Sequence, residues 1–166
     1  MIMSEENGKI PVRATRGSAG YDIVMPYDIT FCPGEYTTLD TGLSFDDEDS
    51  VTLLTEYYTI GSKDINKMAI LPRHWVALIL PRSSLGFEYG FRFSNTICVI
   101  DMDYRDNIKL KITVDKELIL HKGERIAQMI VIPFAIFVHE DTPIAKRSGG
   151  IGSTGRWIAM IVRISD

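Results

Sequence analysis

The apolar residues of this chain come in short runs, and the runs are stopped by proline, glycine or a change to polar residues. Trp75–Leu80 (WVALIL) runs into Pro81, Ala127–Ile132 into Pro133, and Ile29–Phe31 leads into Pro33-Gly34 before Tyr36–Leu39 follows. Val51–Ile60 (VTLLTEYYTI) is rich in β-branched and aromatic residues, the types that suit a pleated, half-buried surface. Ile108, Leu110, Ile112 and Val114 alternate with Lys109, Lys111, Thr113 and Asp115, the period of two that marks a half-buried strand. Ala127–Ile132 is a continuous apolar run, which predicts a strand buried on both faces. The only helix the pattern allows is a turn or two around Ser83–Tyr89. With 13 glycines and seven prolines punctuating these runs, the spacing predicts an all-β sandwich or barrel.

A length of 166 residues points to one domain, two at the most, and a chain of this size can bury about 70% of its unfolded surface. A content of 45% hydrophobic and 24% charged residues excludes disorder, collagen and coiled coil. The net charge of −4 argues against a surface tuned to nucleic acid polymers, while leaving room for a local basic pocket. Cys32 and Cys98 lie far apart in hydrophobic settings and form no zinc spacing or disulfide framework. They are expected as reduced core residues of a cytoplasmic protein. The start MIMSEENGK lacks the layout of a signal peptide, and no apolar run approaches about 18 residues. The expectation is a soluble intracellular protein with no membrane association.

Two segments stand apart. An acidic stretch beginning at Ser44–Asp49 (SFDDED) and reaching to about Met68 is expected as an exposed excursion. Arg147–Gly155 (RSGGIGSTG) is too glycine-rich for a strand and is expected to be mobile. After it, Trp157–Ile164 (WIAMIVRI) turns apolar again.

Common catalytic signatures are absent: no GxxxxGK[ST], HExxH, paired CxxC or GxSxG occurs. His74, His121 and His139 are read as surface or loop residues. Three clusters remain. In PRSSLG (Pro81–Gly86), Arg82, the hydroxyls of Ser83 and Ser84 and a helix start could cradle phosphate, or form an ordinary serine N-cap beside a solvated arginine. In VIDMDYR (Val99–Arg105), Asp101 follows apolar residues and is placed to take or orient a proton of water, or to cap a hairpin turn. In GGIGSTG (Gly149–Gly155), glycines and hydroxyls suit a wrapped phosphate chain with Lys146 and Arg147 beside it, or equally a flexible linker.

Taken in order, SAGYD (Ser18–Asp22), PRSSLG, NTICVIDMDYR (Asn95–Arg105), GERIAQ (Gly123–Gln128) and GGIGSTG resemble the five motifs of the trimeric dUTPase family over about residues 11–155. The related dCTP deaminases share the fold and the RSSL segment but lack this IDxDYR and this last glycine motif. The resemblance implies a jelly-roll subunit in a homotrimer, with active sites shared between chains, that hydrolyses dUTP to dUMP and diphosphate with Mg²⁺. By position, Asp101 would align the attacking water. Asn95 and the backbone at Val99 and Ile100 would read the uracil edge, and Tyr104 would lie against the deoxyribose. Arg82, Ser83, Ser84 and Gln128 would hold phosphates, with Lys109 also among the substrate-binding positions. Lys146 or Arg147, with Gly152 and Ser153, would close over the phosphates, and Ile151 over the base. Asp22 would reach Mg²⁺ through water only.

The departures from the family pattern are specific. Cys98 and Asp106 stand where glycines are usual, and Lys146 where the clamping arginine belongs, with Arg147 one place later. Ile151 replaces an aromatic lid, for which Trp157 is a possible substitute. The implied organisation is a domain over residues 1–155, with an acidic insertion at about 46–68 and a mobile motif at 146–155, followed by a tail at 156–166. Two other readings compete with hydrolysis. For a nucleotide-responsive binding or regulatory protein on the same scaffold, the intact Asp101 argues against pure binding, while the insertion and the altered last motif keep such a second role open. A metal nuclease using Asp101, Asp103 and Lys109 lacks the extended basic track that a polymer requires.

Overall fold

Among the described residues, short apolar runs become short strands, and every pairing between them is antiparallel. The computed structural model describes residues 2–4, 8–45, 74–134 and Arg147. The elements are β1 (Ile2–Ser4), β2 (Tyr21–Val24), β3 (Ile29–Phe31), β4 (Thr37–Asp40), β5 (Leu43–Phe45), β6 (Trp75–Pro81), helix α1 (Ser83–Tyr89), β7 (Arg92–Phe93), β8 (Cys98–Asp101), β9 (Lys109–Thr113), β10 (Leu118–Leu120) and β11 (Arg125–Pro133). A four-stranded sheet runs β2-β11-β6-β8 and a three-stranded sheet β4-β9-β7, with β10-β3 and β1-β5 as pairs. Among the described residues no helix is long and apolar enough to cross a membrane.

The alternation read from the sequence sets the core. Leu110 and Ile112 of β9 point inward while Lys109 and Lys111 face out. On β6, Trp75, Ala77 and Ile79 are buried, and the Trp75 ring meets Phe45 edge-on at 4.8 Å. Full burial of a side chain such as Ile79 contributes about 1.5–3 kcal/mol. The helix forms where expected and stops at Gly90, whose φ of 64° is the left-handed conformation that glycine adopts without penalty. A Cβ at Gly90 would lie 2.2 Å from Asp115 Oδ2, so the stop is fixed by packing as well.

Two expectations are corrected. β11 is not buried on both faces: Ala127 and Met129 are buried, Gln128, Ile130 and Val131 are half-buried, and Ile132 is exposed. The face carrying Gln128 and Ile130 is thus only half-buried. Cys32 is exposed, whereas Cys98 is buried. Phe31 occupies the inward position at the end of β3, so the next residue points outward as the Pro33-Gly34 turn begins. Both thiols are free. His121 is exposed, and His74 is half-buried with its ring 5.6 Å from that of Phe134. The Val51–Ile60 run, the insertion at 46–68, His139 and the tail at 156–166 lie outside the described residues.

Candidate active site

The register of the four-stranded sheet assembles the first half of the site. Gln128 on the central strand β11 pairs with Asp22 on one side and Leu80 on the other, so β2 and the end of β6 converge on it. Asp22 is 4% exposed, and Arg82, at 22%, donates from Nη1 to its Oδ1 at 2.6 Å. Gln128 Nε2 donates to the same oxygen at 3.3 Å, and Arg125 Nη1 to Oδ2 at 3.4 Å. Gly20 of SAGYD permits the approach, because a Cβ there would sit 3.1 Å from Gln128 Cβ.

This geometry removes the reading of PRSSLG as a serine N-cap beside a solvated arginine. Arg82, not a serine, occupies the N-cap position, with extended backbone and no side-chain cap. Its guanidinium is also not free in solvent, being held on Asp22. Ser83 and Ser84 are exposed on the first turn beside it. Arg125 received no role from the sequence, although it lies within GERIAQ. Its link to Asp22 is visible only once β11 is registered against β2.

The second half forms at the other end of β6. Among the described residues β8 is hydrogen-bonded to β6 on one side only. An unpaired row of N–H and C=O groups along a strand can pair with a polar ligand. Val99 faces out and Ile100 faces the core, while Asn95 is exposed in the turn before it. That turn includes Thr96 at φ 64°, a left-handed conformation uncommon outside glycine. Cys98 is accommodated inside, and burial pushes its thiol up, with a side-chain hydrogen bond to Asn95 acting the other way.

At the end of β8 the backbone turns, with Tyr104 N–H bonded to the Asp101 carbonyl at 3.0 Å. Asp101 is exposed while the Tyr104 ring is buried. The Tyr104 hydroxyl donates to the Asn107 carbonyl at 3.0 Å, and burial, then Asp106, raise its pKa. Arg147 sits against this turn. Its Nη2 donates to Asp101 Oδ2, its Nε donates to Asp103 Oδ1 at 2.8 Å, and its guanidinium lies 5.7 Å from the Tyr104 ring centre. Burial opposes the Arg147 charge, but the Asp103 hydrogen bond and the two carboxylates prevail and raise its pKa.

The two halves are separated within one chain. Asp101 is registered opposite Val76, and Arg82 lies six residues further along the β6 line, about 20 Å at roughly 3.3 Å per residue. Lys109 is exposed at the start of β9, opposite Asp40, and no described contact joins it to either half. Lys146, Ile151, Gly152 and Ser153 lie outside the described residues. Among the described residues, no three His, Cys, Asp or Glu side chains group so as to hold a metal ion.

A family model described as dUTPase matches residues 6–55 and 50–155. The chain belongs to the dUTPase family. It is 31% identical over 157 residues to the deoxyuridine 5'-triphosphate nucleotidohydrolase of Hydrogenobaculum sp. (strain Y04AAS1), covering 90% of this chain and 92% of that one. It is 32% identical over 157 residues to the enzyme of the same name from Rickettsia felis, at 90% coverage of each. Among solved structures, dUTPase from Streptococcus mutans superposes with a TM-score of 0.57 at 21% identity, over 82% of this chain and 97% of that one. The dUTPase of Staphylococcus bacteriophage 80alpha, solved as a mutant with dUpNHpp, gives 0.60 at 18% identity, over 86% and 97%. The fold is therefore the dUTPase jelly roll, as the order of motifs predicted.

Proposed function

We propose that this chain hydrolyses dUTP to dUMP and diphosphate, with Asp101 as the base that aligns the attacking water. The observation that carries this reading is the Asp101–Tyr104 turn, an exposed carboxylate at the end of a strand that is unpaired on one side among the described residues, beside a buried aromatic ring. The β8 edge, with Asn95, reads the polar edge of uracil. Tyr104 lies against C2′, where a ribose hydroxyl would clash. Water gives its proton to Asp101 as its oxygen bonds to phosphorus, and the bond to the departing diphosphate breaks. General-base assistance of this kind contributes about 10²–10⁴-fold.

Arg82, Ser83, Ser84 and Gln128 hold phosphate oxygens, with Arg82 and Gln128 pre-aimed by Asp22. Since about 20 Å of β6 separates them from Asp101 in one chain, they serve the Asp101 of another copy. This favours a homotrimer with shared sites. The Asp22 carboxylate is committed mainly to Arg82, which leaves it an outer-sphere role through water, and the donor set fits Mg²⁺ carried by the triphosphate. When bound there, the metal neutralises charge developing on the phosphates. Two free thiols, Cys32 and Cys98, fit the reducing cytoplasm.

Diphosphate release is measured with dUTP, dCTP, UTP and dTTP, for the native chain and for Asp101→Asn. The native chain is expected to turn over dUTP in strong preference. The variant is expected to lose at least 10²-fold in rate while still binding substrate. Undiminished turnover by Asp101→Asn excludes Asp101 as the base, and equal rates on all four nucleotides exclude the uracil reading.

A further inference from the structure

Asp22 divides two groups of cations. Its Oδ1 accepts from Arg82 and Gln128, and its Oδ2 accepts from Arg125. The Arg125 side opens on a cavity of about 360 Å³, lined by Asp22, Val24 and Arg125 of the sheet and by Lys9, Ile10 and Val12 of the preceding segment. That volume is within the range of small-molecule sites. Its wall is held in place on two sides. The Asp22 N–H donates to the Val12 carbonyl at 2.8 Å, and Gly8 packs so closely that a Cβ there would collide with the Gly42 carbonyl. Strand register sets its floor, with Val24 opposite Arg125 and two residues along β2 from the Asp22–Gln128 pair, or about 7 Å. Both cations of the cavity have donors to spare. Arg125 is 53% exposed and spends one N–H on Asp22, at 3.4 Å, of the five a guanidinium carries. Lys9 is exposed, and among the described residues no hydrogen bond or ion pair engages it. The Asp22 charge is answered by Arg82 at 2.6 Å, so the cavity is left with net positive charge.

We propose that this cavity is a second anion site, where Lys9 and Arg125 take the diphosphate that the reaction releases. Its assignment rests on the reading of Arg82, Ser83, Ser84 and Gln128 as ligands of the substrate phosphates. Arg82 and Gln128 lie on the Oδ1 side of Asp22 and are occupied while a nucleotide is bound. The Lys9–Arg125 pair on the other side stays available. Diphosphate is a compact polyanion freed next to that pair, and its charged oxygens suit an ammonium and a guanidinium together. In passing from one side of Asp22 to the other, the anion remains paired with cations and vacates the substrate phosphate site for the next nucleotide.

Calorimetric titration of sodium diphosphate into the full chain tests the site, first with the chain alone and then after saturation with the α,β-imido analogue of dUTP. Diphosphate is expected to bind in both cases, because a nucleotide on the Arg82 side leaves the cavity open. Lys9→Ala is expected to weaken diphosphate binding to the analogue-saturated chain about fivefold, as for loss of one partly exposed charged contact, while binding the analogue as the native chain does. Lys9→Arg, which keeps the charge, is expected to return diphosphate affinity toward the native value. Loss of diphosphate binding on saturation with the analogue places the anion in the substrate phosphate site and overturns the proposal. So does a Lys9→Ala chain that binds diphosphate as tightly as the native one, or that binds the analogue more weakly, which would make Lys9 a substrate ligand. If the analogue does not bind the native chain, the reading of the Arg82 cluster fails instead, and the effect of Lys9→Ala on diphosphate binding to the chain alone still decides the cavity.

Discussion

Removing the Asp22 carboxylate tests the Arg82–Gln128–Arg125 cluster and the fold together. Asp22 is 4% exposed and accepts from Arg82 at 2.6 Å, from Gln128 at 3.3 Å and from Arg125 at 3.4 Å. Breaking a buried pair by deleting one partner costs about 3–5 kcal/mol when the other charge is trapped. Arg82 retains 22% exposure and Arg125 about half, so both cations recover some hydration. Asp22→Ala is accordingly expected to cost about 2–3 kcal/mol. Asp22→Asn, which keeps an acceptor for Arg82, is expected to cost about 1–2 kcal/mol. For a chain of this size each kcal/mol lowers Tm by about 2–4 °C, so the alanine variant should melt about 5–10 °C lower. Calorimetry at one fixed protein concentration is required, because assembly also shifts Tm. Asp115→Ala is the control, since its bond to Arg92 joins two exposed side chains and should cost less than about 1 kcal/mol. If Asp22→Ala melts within about 2 °C of the native chain, or no lower than Asp115→Ala, Asp22 does not hold Arg82 in the way described.

Mixing Asp101→Asn chains with Arg82→Ala chains should restore part of the dUTP turnover that each lacks alone, and mixed assemblies with confirmed exchange that stay inactive refute shared sites. Tyr104→Leu should narrow the dUTP-to-UTP ratio of kcat/KM, whereas Tyr104→Phe should leave that ratio alone and cost only about 1 kcal/mol of stability for the lost bond to Asn107; an unchanged ratio in Tyr104→Leu removes Tyr104 as the ribose gate. Iodoacetamide at mildly alkaline pH should modify exposed Cys32 well before buried Cys98, whose raised pKa leaves less reactive thiolate, and peptide mapping that finds equal labelling contradicts this order.

Much of the fold was legible because periodicity is a local property. The alternation at Lys109–Thr113 and the apolar run at Trp75–Leu80 announced strands that the structure contains, and Ser83–Tyr89 announced its helix. Burial was less legible. The apolar sequence of β11 looks the same whether one face or both meet protein within the chain, and Ile132 is exposed here. Cys32 failed for a related reason, since a residue one step past the end of a strand takes the opposite face. Motif order singled out Asp101, Tyr104, Arg82 and Gln128 as candidates. It could not supply the partners that the fold brings from far along the chain. Arg125 meets Asp22 through strand register, and Asp103 meets Arg147 through a contact spanning much of the C-terminal sequence. No local pattern encodes either meeting.

The length of β6 has a consequence for how damage spreads. In an assembly whose sites are completed between copies, one chain lends its Asp101 turn to one site and its Arg82 cluster to another. A chain defective at only one end of β6 therefore silences one site, but a chain defective at both ends silences two. A gene copy carrying both lesions should depress the activity of a mixed population more than its share of the protein. If sites are completed between copies as proposed, specific activity should also fall on dilution, as dissociation removes the partner that completes each site.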